Sequence, residues 1–277
     1  AVAEHGRLAG GLSSARPGRG RRVRSRPILA VAALALALLA AGCRGQGVER
    51  LQVQVVAQHP HDPQAFTQGL VWSNGTLYES TGLLGRSSLR EVKLDGTVLR
   101  RRDLAPNLFG EGLELVGDEL LQITWQNGVL LRYDVDTFEP KGTQRYEGEG
   151  WGLCFDGTDL WMSDGSARLT RRDPVTFAAK GTVDVTSDGK PLTMLNELEC
   201  VAGTIYANVW TTDEIVRIDP GTGKVTAVID ATELRRAAGV TDRDAVLNGI
   251  AYDDASGNFL VTGKLWPALF EVRFVAK

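Results

Sequence analysis

One short phrase recurs five times along this chain and limits what it can fold into. Gln68-Gly69-Leu70, Glu111-Gly112-Leu113, Trp151-Gly152-Leu153, Asn196-Glu197-Leu198 and Asn248-Gly249-Ile250 each give a functional or aromatic side chain, usually a Gly, then an aliphatic. Seven residues after each aliphatic, nine in the last copy, an apolar residue opens a strand-like run: Leu77, Leu120, Leu160, Ile205 and Phe259. A turn signal precedes every run, at Asn74-Gly75, Gly117-Asp118, Asp156-Gly157, Ala202-Gly203 and Ser256-Gly257. From Leu51 onward the alternation of apolar and polar residues between such turns argues strand, and only Ala231 to Ala238 looks helical.

The repeat aliphatics are 43, 40, 45 and 52 residues apart, a period suited to four-stranded propeller blades. The second copy supplies its four strands in order: Gly112 to Val116, Glu119 to Trp125, Val129 to Asp134 and Lys141 to Tyr146. The last copy ends at Lys277 without a fourth strand, whereas Leu51 to Ala57 is an alternating strand belonging to no copy. Pairing that orphan with Leu269 to Phe274 would complete the last blade and hide two open edges. The expectation is an all-β chain whose residues 51–277 form one five-bladed β-propeller.

Residues 1–42 fall outside that domain. Residues 7 to 26 hold seven Arg and no acid, and an apolar run from Ile28 to Ala41 follows. The run is short for a bilayer span and reads as a signal-peptide core. Leu38 to Gly42 then places small residues before Cys43, resembling a bacterial lipoprotein cleavage box in which Cys43 is acylated; simple secretion is the alternative. Residues 43–50 are a short linker. The expected address is the bacterial cell envelope, with Cys43 as the only membrane attachment.

Seven of the 31 basic and one of the 34 acidic residues lie in 1–42, so 24 basic face 33 acidic residues in the remainder, a net charge of −9. That balance argues against nucleic acid or an anionic membrane surface as partner. Cys154 and Cys200 stand one and two residues past their repeat aliphatics, so on strands their side chains should face opposite ways. Two buried free thiols are therefore expected, with a disulfide as the alternative in an oxidising envelope.

In a propeller, repeat-equivalent residues form rings. Gln68, Glu111, Trp151, Asn196 and Asn248 make one; Gly82, Trp125, Gly165, Trp210 and Lys264, at the ends of the second strands, make another at the same mouth. One carboxylate, one ammonium, amides and indoles are not what a packing core selects. Each has a structural explanation singly: indoles fill space between blades, Asn caps turns, and Glu111 with Lys264 could be a buried ion pair. The three His residues, His5, His59 and His61, have no partner at metal-ligand spacing, and no Ser–His pair, phosphate loop or CxxC is present. The chemistry must rest on a carboxylate with amide and amine donors, with no metal and no cofactor.

At these residues a resemblance becomes specific. The motifs Phe66-Thr67-Gln68-Gly69-Leu70, Phe109-Gly110-Glu111-Gly112-Leu113, Thr124-Trp125, Gly150-Trp151-Gly152-Leu153, Asn196-Glu197-Leu198-Glu199, Asn208-Val209-Trp210, Leu247-Asn248-Gly249-Ile250 and Gly263-Lys264-Leu265-Trp266 are similar, in order and spacing, to the plant-type glutaminyl-peptide cyclotransferases. That family has bacterial members and a five-bladed propeller fold. The resemblance implies conversion of an N-terminal glutaminyl residue of a peptide or protein to pyroglutamate with loss of ammonia, without a catalytic metal. By the same resemblance Glu111 moves the proton, Asn196 and Lys264 act with it, Gln68 and Asn248 hold the substrate, and Phe66, Phe109, Trp125, Trp151 and Trp210 shape the pocket. A monomer is expected. Two other classes fit such a mouth: an envelope propeller that only binds peptides or glycans, and a Ca2+-dependent propeller lactonase with Glu111, Asn196 and Asn248 as ligands.

Overall fold

In the computed structural model the described residues are 47–277, so the expected signal segment 1–42 and Cys43 lie outside them. The described chain is all-β with a single helix. Strand β1 (Glu49–Pro60) is followed by four strands of a first set, β2 (Thr67–Ser73), β3 (Thr76–Thr81), β4 (Ser88–Val92) and β5 (Val98–Asp103). The second set is β6 (Gly110–Val116), β7 (Glu119–Thr124), β8 (Val129–Asp134) and β9 (Pro140–Arg145). The third is β10 (Leu153–Phe155), β11 (Leu160–Ser163), β12 (Arg168–Arg172) and β13 (Ala179–Asp184), trailed by a small hairpin, β14 (Thr186–Ser187) and β15 (Lys190–Pro191). The fourth is β16 (Leu195–Val201), β17 (Thr204–Val209), β18 (Glu214–Ile218) and β19 (Val225–Asp230), then helix α1 (Thr232–Ala238). The chain finishes on β20 (Leu247–Asp253), β21 (Asn258–Gly263) and β22 (Ala268–Ala276).

The first three sets are antiparallel meanders. Their tight turns follow from sequence: Asn74 and Gly75 both take positive φ, 50° and 81°, the geometry that lets a two-residue hairpin follow the twist of its strands. Strand β1 pairs antiparallel with β22 from Leu51 to Pro60, as the orphan strand was expected to do, and so supplies a fourth strand beside β20 to β22. It also pairs parallel with β19 over Glu49 to Gln52, which welds the fourth and last sets into one eight-stranded sheet.

The core is divided into five clusters. One joins Val71, Tyr78 and Leu89 of the first set to Leu120 and Phe138 of the second, and the next joins Ile123 and Leu130 to Leu153 and Phe177. Leu169 and Trp161 then pack on Leu198 and Val216, Ile215 and Ile229 on Leu247 and Phe270, and Leu260 and Leu269 return to Leu70 and Leu77. Each set thus buries one face on the next, and the last buries its face on the first. The first strands follow the same cycle, β2 against β6, β6 against β10, β10 against β16, β16 against β20 and β20 against β2.

The cysteines depart from expectation. Cys154 and Cys200 form a disulfide with their Cα atoms 5.4 Å apart, and are not free thiols. The periodicity argument applies to two residues of one sheet, but these belong to neighbouring sheets packed face to face. A side chain leaving the rear of one sheet and another leaving the front of the next enter the same interface. Replacing both by Ser should therefore lower unfolding free energy by about 2–4 kcal/mol, the usual contribution of a cross-link closing a loop of this size. The check is the denaturant midpoint of the double variant against the oxidised protein; an equal midpoint would show that the bond does not stabilise the fold.

Candidate active site

The first strands approach one another so closely that side chains are excluded at their meeting points. A Cβ on Gly69 would lie 2.4 Å from Leu113 N, one on Gly112 2.7 Å from Leu153 N, and one on Gly152 2.1 Å from the Asn196 carbonyl. In the fourth copy Glu197 replaces the Gly. Its carboxylate crosses the centre and accepts Ile250 N at 2.8 Å and Leu70 N at 3.3 Å. Asn208 Oδ1 accepts Gly249 N at 2.9 Å in the same region.

Above this junction the strands bulge. Pairing register shifts between Thr67 and Gly69, Gly110 and Leu113, Leu195 and Leu198, and Leu247 and Ile250. Gln68, Glu111, Asn196 and Asn248 occupy those bulges, which turn a side chain out of the strand's alternation. A repeated backbone bond brings the second strands to the same level. Gly82 N donates to Phe66 O, Trp125 N to Phe109 O, Trp210 N to Met194 O and Lys264 N to Val246 O. The acceptor is in each case two residues before the bulged or equivalent residue.

The result is a cavity of about 350 Å³. Glu111, Lys264, Gln68 and Asn196 line it together with the aromatic wall of Phe66, Phe109, Trp125, Trp151 and Trp210. Nine of the ten expected site residues are therefore brought together. The tenth, Asn248, is fully buried and does not line the cavity; its Nδ2 donates to Thr67 O at 3.0 Å and Gln68 Oε1 at 3.3 Å. It supports Gln68 from behind, because the left-handed Gly249 and the bulge turn it toward the neighbouring strand.

Glu111 and Lys264 are each 5% exposed, yet no ion pair joins them. Glu111 Oε1 accepts Gln68 Nε2 at 2.9 Å, and the Lys264 ammonium sits 4.8 Å from the centre of the Phe66 ring. Burial drives the Glu111 pKa well above the usual carboxylate value, with Lys264 pulling it down and Glu149 pushing it up. Burial lowers Lys264, opposed by Glu111 and Asp244. The Asn196 side-chain oxygen is buried without a hydrogen-bond partner. A poised carboxyl, a partly desolvated ammonium and an unpartnered amide in an aromatic cavity can exchange protons and bind a polar group. Among the described residues, no cluster of three or more His, Cys, Asp or Glu stands where it could hold a metal ion.

Several lining residues are absent from the repeat logic. Arg243, Asp244 and Val246 reach the mouth from the loop after α1, the segment that lengthens the last repeat spacing. Leu83 and Thr211, with positive φ of 83° and 70°, complete the rim. No periodic signal marks an insertion of this kind. Glu149 is also new: it accepts hydrogen bonds from both Trp125 and Trp151.

Residues 28–274 match the family model described as glutamine cyclotransferase. A glutaminyl-peptide cyclotransferase from Arabidopsis thaliana is 41% identical over 228 residues, covering 80% of this chain and 71% of that protein. The crystal structure of Myxococcus xanthus glutaminyl cyclase shares 44% identity with a TM-score of 0.78, covering 82% of this chain and 98% of its own.

Behind the mouth lies a buried charged network. His61 Nδ1 is 2.7 Å from the Trp266 carbonyl and Nε2 3.0 Å from Glu79 Oε1. Both partners only accept, so both ring nitrogens must carry protons. Burial opposes that charge, but the Glu79 carboxylate outweighs it and raises the His61 pKa. Glu79 is likewise opposed by burial and lowered by His61, Arg90 and Thr67. His61 thus contributes stability fully below its unfolded value of 6.5, lost as pH rises through the higher folded value. Glu79 contributes above 4.5 and loses its contribution as pH falls through its lower folded value. Melting temperature should decline on the alkaline side in the wild type, and Glu79→Gln, which removes the counter-charge, should flatten that decline. Parallel slopes in the two proteins would show that His61 is not the titrating group.

Proposed function

The chain belongs to the glutamine cyclotransferase family, and from that premise we propose that it is a glutaminyl-peptide cyclotransferase acting on peptide or protein N-termini that begin with Gln. The observation that carries the reading is the placement of Glu111: buried, raised in pKa, held by one amide, and facing an aromatic cavity that also contains Lys264 and Asn196. The cavity is of a size for one side chain and not for a long peptide segment.

The reaction joins the substrate's α-amine nitrogen to its own γ-carbonyl carbon and expels the γ-nitrogen as ammonia. The aromatic wall folds the glutaminyl side chain so that amine and carbonyl are in attack range. Ionised Glu111 takes the proton that the attacking amine sheds and gives it to the departing nitrogen. Negative charge developing on the γ-oxygen is met by the Lys264 ammonium and the Asn196 carboxamide, where exclusion of water makes such donors strong. Gln68, braced by Asn248, fixes the Glu111 carboxylate in line with this path. No step needs a metal, so turnover should persist in a chelator.

The scaffold of this site we read as five propeller blades, a reading supported by five hydrophobic interfaces that run from the first strand set round to the first again. On that reading the domain is 51–277, after a signal segment 1–42 and a linker 43–50, and the chain works as a monomer. The Cys154–Cys200 bond suits an oxidising compartment outside the cytosol. Export accounts for both that bond and the basic-apolar leader, and acylation at Cys43 would then hold the exported protein at the membrane.

Ammonia release from a Gln-initiated peptide, with chelator present, tests the activity. Glu111→Gln keeps size and hydrogen bonding but cannot accept the amine proton, so single-turnover cyclisation at saturating peptide should fall by about 10² to 10⁴ with little change in binding. Cyclisation within a few-fold of wild type, in a variant shown to be folded, would remove Glu111 from the proton path. For the address, Cys43→Ala should shift the protein from membrane to soluble fraction or stop its maturation; unchanged membrane association would rule out the lipid anchor.

A further inference from the structure

The position two residues before each repeat's functional side chain is Phe66, Phe109, Glu149, Met194 and Val246. Four of the five are apolar, three of those four line the cavity, and the third copy alone places a carboxylate there. Glu149 does not line the cavity. Its Oε2 accepts the Trp125 indole N–H at 2.8 Å and the Trp151 indole N–H at 2.9 Å, and its Oε1 accepts Gln126 Nε2 at 2.9 Å.

The aromatic wall is built of edge contacts in two halves. Phe66 meets Phe109 with ring centres 6.2 Å apart, and Phe109 meets Trp125 at 5.6 Å. In the second half Trp151 meets Trp210 at 5.5 Å, nearly perpendicular. No ring contact joins Trp125 to Trp151; the Glu149 carboxylate does. An indole offers one hydrogen-bond donor at one end of a plate that can otherwise swing about two bonds. Two such donors on one oxygen fix two plates from neighbouring strand sets relative to each other.

We propose that Glu149 is a positioning residue of the active site, a carboxylate clamp that joins the two halves of the aromatic wall and so sets the width of the slot that receives the glutaminyl side chain. This rests on the reading of the cavity as the glutaminyl site. Its chemistry requires a permanent anion: burial opposes the charge, but the N–H donors of Gln126, Trp151 and Trp125 hold the Glu149 pKa below the usual value. The same negative charge acts on Glu111, raising it against the pull of Lys264, while Tyr146 nearby stays neutral with a pKa near 12. One residue thereby couples the shape of the slot to the proton affinity of the group that works in it.

Two substitutions separate shape from charge. Glu149→Gln removes the charge and one of the two acceptor oxygens, so KM for a Gln-initiated peptide should rise about 10-fold, the order expected for a lost charge-assisted hydrogen bond. The acid limb of the kcat profile, set by Glu111, should move to lower pH. Glu149→Asp keeps the charge but is one methylene short of both indoles, so KM should rise while that limb stays. In both variants the near-ultraviolet circular dichroism of the tryptophans should change, since the indoles lose a fixed orientation. KM within two-fold of wild type together with an unchanged tryptophan spectrum would overturn the clamp, in whichever variant folds. If the wild type does not cyclise Gln-initiated peptides, the reading of the cavity fails, yet the spectral comparison, which needs no turnover, still decides whether Glu149 holds the two indoles.

Discussion

Everything in this molecule depends on how the inner edges of its sheets are satisfied where they meet. An innermost strand has no further strand to pair with, so its inward N–H and C=O groups need other partners or they remain as buried unpaired polar groups. Here the gap is closed by contact between backbones and by a few side chains. Gly112 N donates to Trp151 O at 2.8 Å; Gly152 N donates to Ser163 Oγ at 2.7 Å, and that hydroxyl donates on to Asn196 O at 2.6 Å. Glu197 then serves two strands at once, at Leu70 and Ile250. Glycine at 69, 112 and 152 is required because only a missing Cβ allows this approach. The repeated phrase in the sequence is thus the trace of a backbone junction before it is the trace of a site.

The junction also explains why one grammar yields two carboxylates of different character. Glu197 occupies the slot of a Gly and points across the centre, where two backbone N–H groups hold it although burial raises its pKa well above normal. Glu111 occupies the slot before the Gly, in a bulge, and points up into the cavity with only the Gln68 amide as its donor. A shift of one residue along a bulged strand separates a carboxylate that braces two backbones from one that lines the cavity. Below the mouth, burial also raises Glu114, to about 7, and Glu199.

Much of this was legible in the sequence for physical reasons. Turn chemistry and alternation mark strands because hairpins need particular φ values and sheets need one buried face, and β8 was delimited to the residue, Val129 to Asp134. The orphan strand found its partner because an unpaired edge is intolerable. Repeat equivalence placed Glu111, Trp125 and Lys264 at one mouth although they are far apart in the chain. What failed shares a cause: periodicity describes one sheet at a time. It could not see that Cys154 and Cys200 face each other across two sheets, that a bulge would turn Asn248 behind Gln68, or that the insertion after α1 would bring Arg243 and Asp244 to the rim. Glu149 was missed, although it is the single charged residue at an otherwise apolar repeat position, a signal of difference within a repeat and not of similarity.

The separation between Glu111 and Lys264 is the last feature that the mouth must account for. A contact ion pair in so buried a place would be held by strong mutual attraction, would keep the carboxylate ionised and weakly basic, and would tie the ammonium to a protein partner. With Gln68 donating to the carboxylate and the Phe66 face beside the ammonium, each charge is left partly uncompensated. Buried charges with so few protein partners favour a polar ligand that places a hydrogen-bond acceptor at the ammonium and a proton donor at the carboxylate. The bulges that turn Gln68 and Glu111 out of strand alternation thus hold the carboxylate on an amide and away from the ammonium.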